Sequence, residues 1–129
     1  MKTLRVVAAI IEKDGKILIA QRMYGKQAGL WEFPGGKIEE GETGKEAIIR
    51  EIEEEFDTEI DVKGYLTTIE HQYDDFYLVM DCFICSIKEG ELTLHDHTAY
   101  RWIDPEEKDI EWVPADVKAI EAYRNYLRI

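Results

Sequence analysis

Apolar and polar positions fall into blocks with distinct periods along the chain. Val6–Ile11 and Lys16–Gln21 are β-branched-rich runs separated by Glu12-Lys13-Asp14-Gly15. Asp-Gly is a tight-turn pair, so the two runs predict a hairpin. Gly25 to Gly36 reads as a loop carrying Leu30, Trp31 and Phe33 and ending in Pro34-Gly35-Gly36. Thr43 and Glu46 then form a Thr-x-x-Glu capping box ahead of a helix that runs to about Phe56. Ile48, Ile52 and Phe56 recur every four residues along it as a buried stripe. Ile60–Gln72 and Phe76–Ile87 predict two longer strands joined at Tyr73-Asp74-Asp75, and Thr98–Ile103 a further short one. Val113-Pro114-Ala115 opens a second helix at the first-turn proline position, running to about Leu127 with Val117, Ile120, Tyr123 and Leu127 facing inward. There is no internal repeat and no linker. Hairpins in place of regular βαβ alternation predict an α/β fold with a mixed sheet and helices on its faces, in a single domain spanning residues 1–129.

Composition narrows the function classes. At 129 residues and 45 % hydrophobic, the chain can bury roughly two thirds of the surface it exposes when unfolded. Its net charge of −12 repels nucleic-acid polymers and anionic membranes, which argues against either as a partner. A small anionic substrate needs a cation or a basic pocket to offset the same repulsion. Cys82 and Cys85 are three apart, so a strand points them to opposite faces, which suits two buried thiols in a reducing compartment. The N-terminal apolar stretch stops at Glu12, too short for a signal peptide or a membrane span. A cytoplasmic enzyme or interaction domain is expected, as a monomer or a homodimer.

Charge concentrates on the first helix. Between Ile38 and Ile60 there are ten acids against Lys45 and Arg50, so this segment holds −8 of the total charge. Glu51, Glu54 and Glu55 fall at i, i+3 and i+4 and share a helix face. Like charges at such spacing repel by a few tenths of a kcal/mol per pair, so a counter-charge is expected. Arg50 is one candidate and a hard divalent cation taking oxygen ligands is another. A merely solvated acidic face remains the alternative on periodicity alone.

Spacing to the glycine loop makes the difference. The residues Gly36-x5-Glu42-x7-Arg50-Glu51-Ile52-x-Glu54-Glu55 resemble the signature of the Nudix hydrolase family. Val6-Val-Ala-Ala-Ile-Ile, Ala20-Gln-Arg, Leu30-Trp-Glu-Phe-Pro-Gly-Gly-Lys37 and Val113-Pro-Ala-Asp116 extend the resemblance over essentially the whole chain, toward the MutT-like branch and its bacterial CTP pyrophosphohydrolase type. The signature departs at its end, where Asp57-Thr58 replaces a glycine and an aliphatic residue. Asp tolerates the left-handed conformation that a helix C-terminus favours, so this departure costs a little stability and leaves the ligand set intact.

The resemblance implies an α/β/α sandwich around a mixed sheet. It also implies Mg²⁺- or Mn²⁺-supported hydrolysis of a nucleoside triphosphate to monophosphate and pyrophosphate. Glu51, Glu54, Glu55 and the Gly35 carbonyl are the implied metal ligands, and Arg50 orients a glutamate. Glu42 is open between outer ligand and loop brace. Glu51 is the first candidate for the base, and Asp96, in the loop Leu94-His-Asp-His-Thr98, the second. Arg22 and Lys37 match the cations placed near the phosphates, with Gly36 allowing close backbone approach. Phe33 and Asp116 match positions that contact the nucleobase, where an Asp carboxylate accepts from an exocyclic amino group. Tyr73 and Trp31 could each stack on a base or simply pack. His71, His95 and His97 are expected at the surface, since the loop has too few ligands for zinc. Candidate substrates are CTP, modified dCTP and 8-oxo-dGTP. Two further classes stay open: the same site acting on a dinucleoside polyphosphate or nucleotide sugar, and a non-catalytic recognition domain.

Overall fold

The computed structural model describes residues 1–129. In chain order it comprises β1 (Lys2–Lys13), β2 (Lys16–Arg22), β3 (Trp31–Glu32), β4 (Gly35–Lys37), α1 (Gly44–Phe56), β5 (Glu59–Gln72), β6 (Phe76–Glu89), β7 (His97–Ile103) and α2 (Pro114–Leu127). The expected Asp14-Gly15 hairpin turn is present, with both residues at positive φ (52° and 77°). The segment read as one loop, Gly25 to Gly36, instead contains β3 and the start of β4. Both strands are too short for a periodic signal and exist because a longer strand lies beside each.

β1 organises the sheet. It runs parallel to β6 from the pair Lys2↔Phe76 to Ile11↔Cys85, and antiparallel to β4 at Val6↔Lys37, Val7↔Gly36 and Ala8↔Gly35. Its far end pairs with β2 at Glu12↔Ile17 and Lys13↔Lys16, and β2 in turn carries β3 and β7. β5 closes the other edge against β6. Alternation along β1 divides the core in two. Ala8 and Ile10 join Met80, Cys82 and Ile84 of β6 beneath α2, while Val7, Ala9 and Ile11 join Phe83 and Cys85 beneath α1. The two cysteines therefore lie on opposite faces as expected, and burial pushes each thiol up to about 12. The result is a mixed sheet between two helices.

Helix α1 begins as its sequence predicts. Thr43 and Glu46 close both arms of the capping box, at 3.1 and 2.9 Å, and Ala47, Ile48, Ile52 and Phe56 are buried. Asp57 ends it in the left-handed conformation at φ 54°, its N–H donating to the Glu53 carbonyl at 3.0 Å. Thr58, in place of an aliphatic residue, is fully buried, and its hydroxyl donates to the Phe56 carbonyl at 2.9 Å. Helix α2 is rotated from expectation. Val117 and Leu127 are 40 % and 47 % exposed, and the buried face is Ala115, Asp116, Ala119, Ile120 and Tyr123. Ala115 and Ala119 pack in the α2-side core together with Ile120 and Tyr123, and Val117 falls on the opposite side of the helix. No helix is long and apolar enough to cross a membrane.

Two substitutions test that rotation. Ile120→Ala should cost about 2–5 kcal/mol in urea unfolding through the cavity it leaves. Val117→Ser should stay within about 0.5 kcal/mol, as for other exposed positions.

Candidate active site

The site grows from the contact between β4 and α1. Gly35 and Gly36 are glycines for lack of room. A methyl on Gly35 would overlap the Val7 carbonyl, and one on Gly36 would overlap the Glu51 carboxyl group. Only a bare backbone lets the helix carboxylates lie against the strand.

Arg50 holds this contact together. Its Nε and Nη2 donate to the two carboxylate oxygens of Glu42 at 2.7 and 2.9 Å. Nη1 donates to Glu51 at 3.0 Å and Glu54 at 3.1 Å, and Nη2 also donates to the Lys37 carbonyl at 3.0 Å. The guanidinium is thus saturated. These bonds hold the Glu42 carboxyl down at about 2 and raise the Arg50 pKa. Glu42 also accepts from the Glu39 N–H at 2.9 Å, so both its oxygens are committed to bracing the loop onto the helix.

Glu55 is the opposite case. One of its carboxylate oxygens is buried without a hydrogen-bond partner. Burial first, then Glu51, Glu32 and Asp96, push its pKa up to about 9. The acids here outnumber the cations that reach them. No three acidic, histidine or cysteine side chains converge at metal-ligand distance, and Glu54, 58 % exposed, turns to Arg50. Glu54 and Arg50 face a separate shallow hollow bordered by Glu46, Ile49, Glu53 and Asp57.

A cavity of about 410 Å³ opens beside this cluster. Leu4 and Val6 of β1 lie opposite Leu78 and Met80 of β6 and form an apolar floor, with Phe33, Phe76 and Val113 around it. Gly35, Gly36, Lys37, Glu55, Asp96, Arg22, Glu32 and His97 supply the polar lining. Asp116 also lines it, although only 4 % exposed, and accepts from the Phe33 N–H at 2.8 Å. Desolvation first, then Glu32, push Asp116 from its usual 3.8 up to about 8. The expectation of an ionised Asp116 is thus corrected: the fold holds it protonated at neutral pH.

The cavity brings together Arg22, Phe33, Gly35, Gly36, Lys37, Glu55, Asp96 and Asp116, with Glu51 touching it through Gly36 and Glu55. Glu54 and Arg50 lie outside it. Trp31 and Tyr73 pack rather than line it. Trp31 lies under Arg101 at 5.5 Å, and the Tyr73 hydroxyl accepts from the Ala115 N–H at 3.0 Å. His95 is exposed as expected and meets Asp57 at 2.9 Å. His71 is half-buried, its ring centroid 4.5 Å from that of Tyr73, and burial lowers its pKa. His97 is not at the surface: it is 6 % exposed, sits flat on Phe56 and bonds to Glu32 at 2.9 Å. Glu32 and Phe76 are lining residues that no sequence pattern singled out, and His97, expected at the surface, joins them. Local periodicity held no signal for His97, because a register shift separates it from the rest of β7.

Residues 6–122 match the family model described as the NUDIX domain. The chain is 41 % identical over 125 residues to the CTP pyrophosphohydrolase of Escherichia coli K12, covering 95 % of this chain and 93 % of that protein. It is 35 % identical over 94 residues to an 8-oxo-dGTP diphosphatase of Proteus vulgaris, covering 71 % and 84 %. The solution structure of the E. coli ORF135 protein superimposes with a TM-score of 0.85 at 39 % identity, covering 98 % of this chain and 92 % of that one. Fold, signature and relatives agree, and the chain belongs to the Nudix hydrolase family.

Proposed function

We propose that the protein is a Mg²⁺- or Mn²⁺-dependent nucleoside triphosphate pyrophosphohydrolase that clears CTP, modified dCTP or 8-oxo-dGTP from the cytoplasmic nucleotide pool. The observation that carries this reading is the cavity itself. It joins an apolar floor sized for a nucleobase to a polar lining where cations and surplus carboxylates meet. The relatives named CTP pyrophosphohydrolase and 8-oxo-dGTP diphosphatase support the substrate class.

The orphaned Glu55 oxygen beside Glu51 fits a hard divalent cation, toward which Glu54 would have to turn from Arg50. Glu55 has a buried oxygen with no partner and a pKa pushed up to about 9 by burial first and by its acidic neighbours second, as for a carboxylate without a compensating cation. Glu51, Glu54, Glu55 and the Gly35 carbonyl would hold the cation, which when bound supplies charge neutralisation for the polyphosphate and acidifies the attacking water. Arg50 orients Glu51 and Glu54, and Glu42 braces Arg50. Arg22 and Lys37 meet the phosphates, and Gly36 lets them approach the backbone. Glu51 is the first candidate for the base because Arg50 holds it against Gly36. Asp96 is the second, at the cavity rim.

Phe33 and Asp116 face the nucleobase. A protonated Asp116 offers one donor and one acceptor, which matches the N3 acceptor and N4 amino donor on the pairing edge of cytosine. An ionised Asp116 would only accept. The donor–acceptor pair of the protonated form also matches the O6 and N1–H edge of guanine, so it suits both cytidine and oxidised-guanine triphosphates.

With Mg²⁺ and CTP the products should be CMP and pyrophosphate in equal amounts, and excess EDTA should abolish turnover; orthophosphate as the sole inorganic product would overturn the cleavage assignment. Glu54→Gln should lower kcat by about 100-fold or more while the melting temperature stays near wild type, because Glu54 is exposed and only its charge is removed. Comparing Glu51→Gln with Asp96→Asn identifies the base, the true one losing the alkaline rise in kcat.

Asp116 makes stability depend on pH. Its folded pKa lies above the ordinary value, so between about 4 and 8 the unfolded chain loses a proton that the folded chain keeps. Stability from this group is fullest below pH 4 and declines as pH rises through 8. Asp116→Asn, which keeps an acceptor for Phe33 and a donor for the base, should therefore melt progressively higher than wild type from pH 5 to 8. A constant difference across that range would refute a protonated Asp116.

A further inference from the structure

We propose that His97 is a positioning residue that keeps Arg22 available to the substrate's phosphates by occupying one oxygen of the carboxylate between them. The phosphate role of Arg22 rests on the nucleotide reading above; the ordering of Arg22 by His97 does not.

Three contacts define the arrangement. Arg22 Nη1 donates to Oε1 of Glu32 at 2.9 Å. His97 Nε2 meets Oε2 of the same carboxylate at 2.9 Å. The His97 ring lies flat on Phe56, with centroids 5.4 Å apart and planes 14° apart. Phe56 is the last residue of the helix that carries Glu51, Glu54 and Glu55. One imidazole therefore ties the end of the carboxylate helix to the arginine.

The backbone sets up the same relation. Arg22 and His97 are cross-strand partners at the end of β2 and β7, just past the register shift between Gln21 and Arg22. Such an irregularity re-aims the side chains that follow it. Here both residues enter the cavity lining together with Glu32.

The unspent donor shows what the arrangement achieves. Arg22 Nε is buried and has no acceptor, although a carboxylate lies beside the same guanidinium. A free carboxylate grips a guanidinium with both oxygens. Glu32 meets Arg22 through Oε1 alone, because His97 fixes the direction of its second oxygen. Arg22 is left tethered through Nη1 alone, among the residues that line the cavity. The ring accepts nothing at Nδ1, which is also buried without a partner.

Removing the ring frees the second Glu32 oxygen to close on Arg22 and withdraw it. His97→Ala should raise the KM for CTP about tenfold, the scale of one charge-assisted hydrogen bond, with kcat changed by less than about threefold. His97→Gln places an amide N–H near the Nε2 position and should restore KM to within about twofold of wild type. His97→Asn, one methylene shorter, should not. In an Arg22→Ala background, His97→Ala should add nothing to KM, since its effect passes through Arg22.

A second readout needs no turnover. In the ligand-free protein the Arg22 side-chain ¹⁵Nε–¹H NMR signal should be shifted and changed in intensity in His97→Ala and His97→Asn, and wild-type-like in His97→Gln. A wild-type Arg22 signal in His97→Ala overturns the positioning whatever the substrate. An unchanged KM, or an equal KM increase with and without Arg22, overturns it for the reaction. Absence of any nucleotide hydrolysis by the wild type removes the nucleotide reading, and the NMR comparison then decides the inference alone. If His97→Ala does not fold, the Gln and Asn pair carries both readouts.

Discussion

Carboxylates gathered on one side of a helix repel one another, and this protein is built around the guanidinium that makes the gathering tolerable. Arg50 reaches Glu42, Glu51, Glu54 and the Lys37 carbonyl together. It joins the loop before α1, the helix itself and the strand β4. Without it, the glycine pair would face a bare cluster of negative charge. Its saturation has a second consequence: it has no donor left for Glu55, whose buried oxygen stays unmatched. The same cation that stabilises the fold thus leaves the site short of positive charge where a polyphosphate and its counter-ion would lie.

The sheet decides where that deficit is displayed. β1 is shared between β6, β4 and β2, so its two faces belong to different cores. One face supports α1, and the other forms the cavity floor and supports α2. Gly35 and Gly36, at the edge of β1, are the point at which the chemistry of α1 passes around to the cavity side. That passage needs backbone with no side chain, which is why two glycines and a glutamate occupy the same few ångströms.

A second polar chain mirrors the first. Glu32 serves Arg22 and His97 as Arg50 serves the glutamates, one central group dividing its bonding capacity among neighbours. Asp116 completes the lining with the reverse solution, a carboxyl buried deeply enough to keep its proton. Charge is handled in three ways in and beside the cavity: paired at Arg50, shared at Glu32, and suppressed by desolvation at Asp116.

Local signals in the sequence determined what depended on local geometry. The Thr43–Glu46 capping box, the Asp14-Gly15 turn, the apolar stripe of α1 and the left-handed Asp57 are each specified by residues within one or two turns of chain. The signature spacing likewise placed Gly36, Glu51 and Glu55 together, because a helix and the loop before it fix those distances. Tertiary structure alone decided the rest. The inward face of α2 is the one carrying Ala115, Ala119, Ile120 and Tyr123, and packing against the sheet selected it over the face carrying Val117 and Leu127. The raised pKa of Asp116 arises from its burial in the packed chain and from Glu32, neither of them local to its helix. His97 looked like a loop residue until β2 and Phe56 enclosed it, with its carboxylate partner 65 residues earlier in the chain. Burial and long-range pairing are properties of the packed chain, and a titratable group's behaviour depends on both.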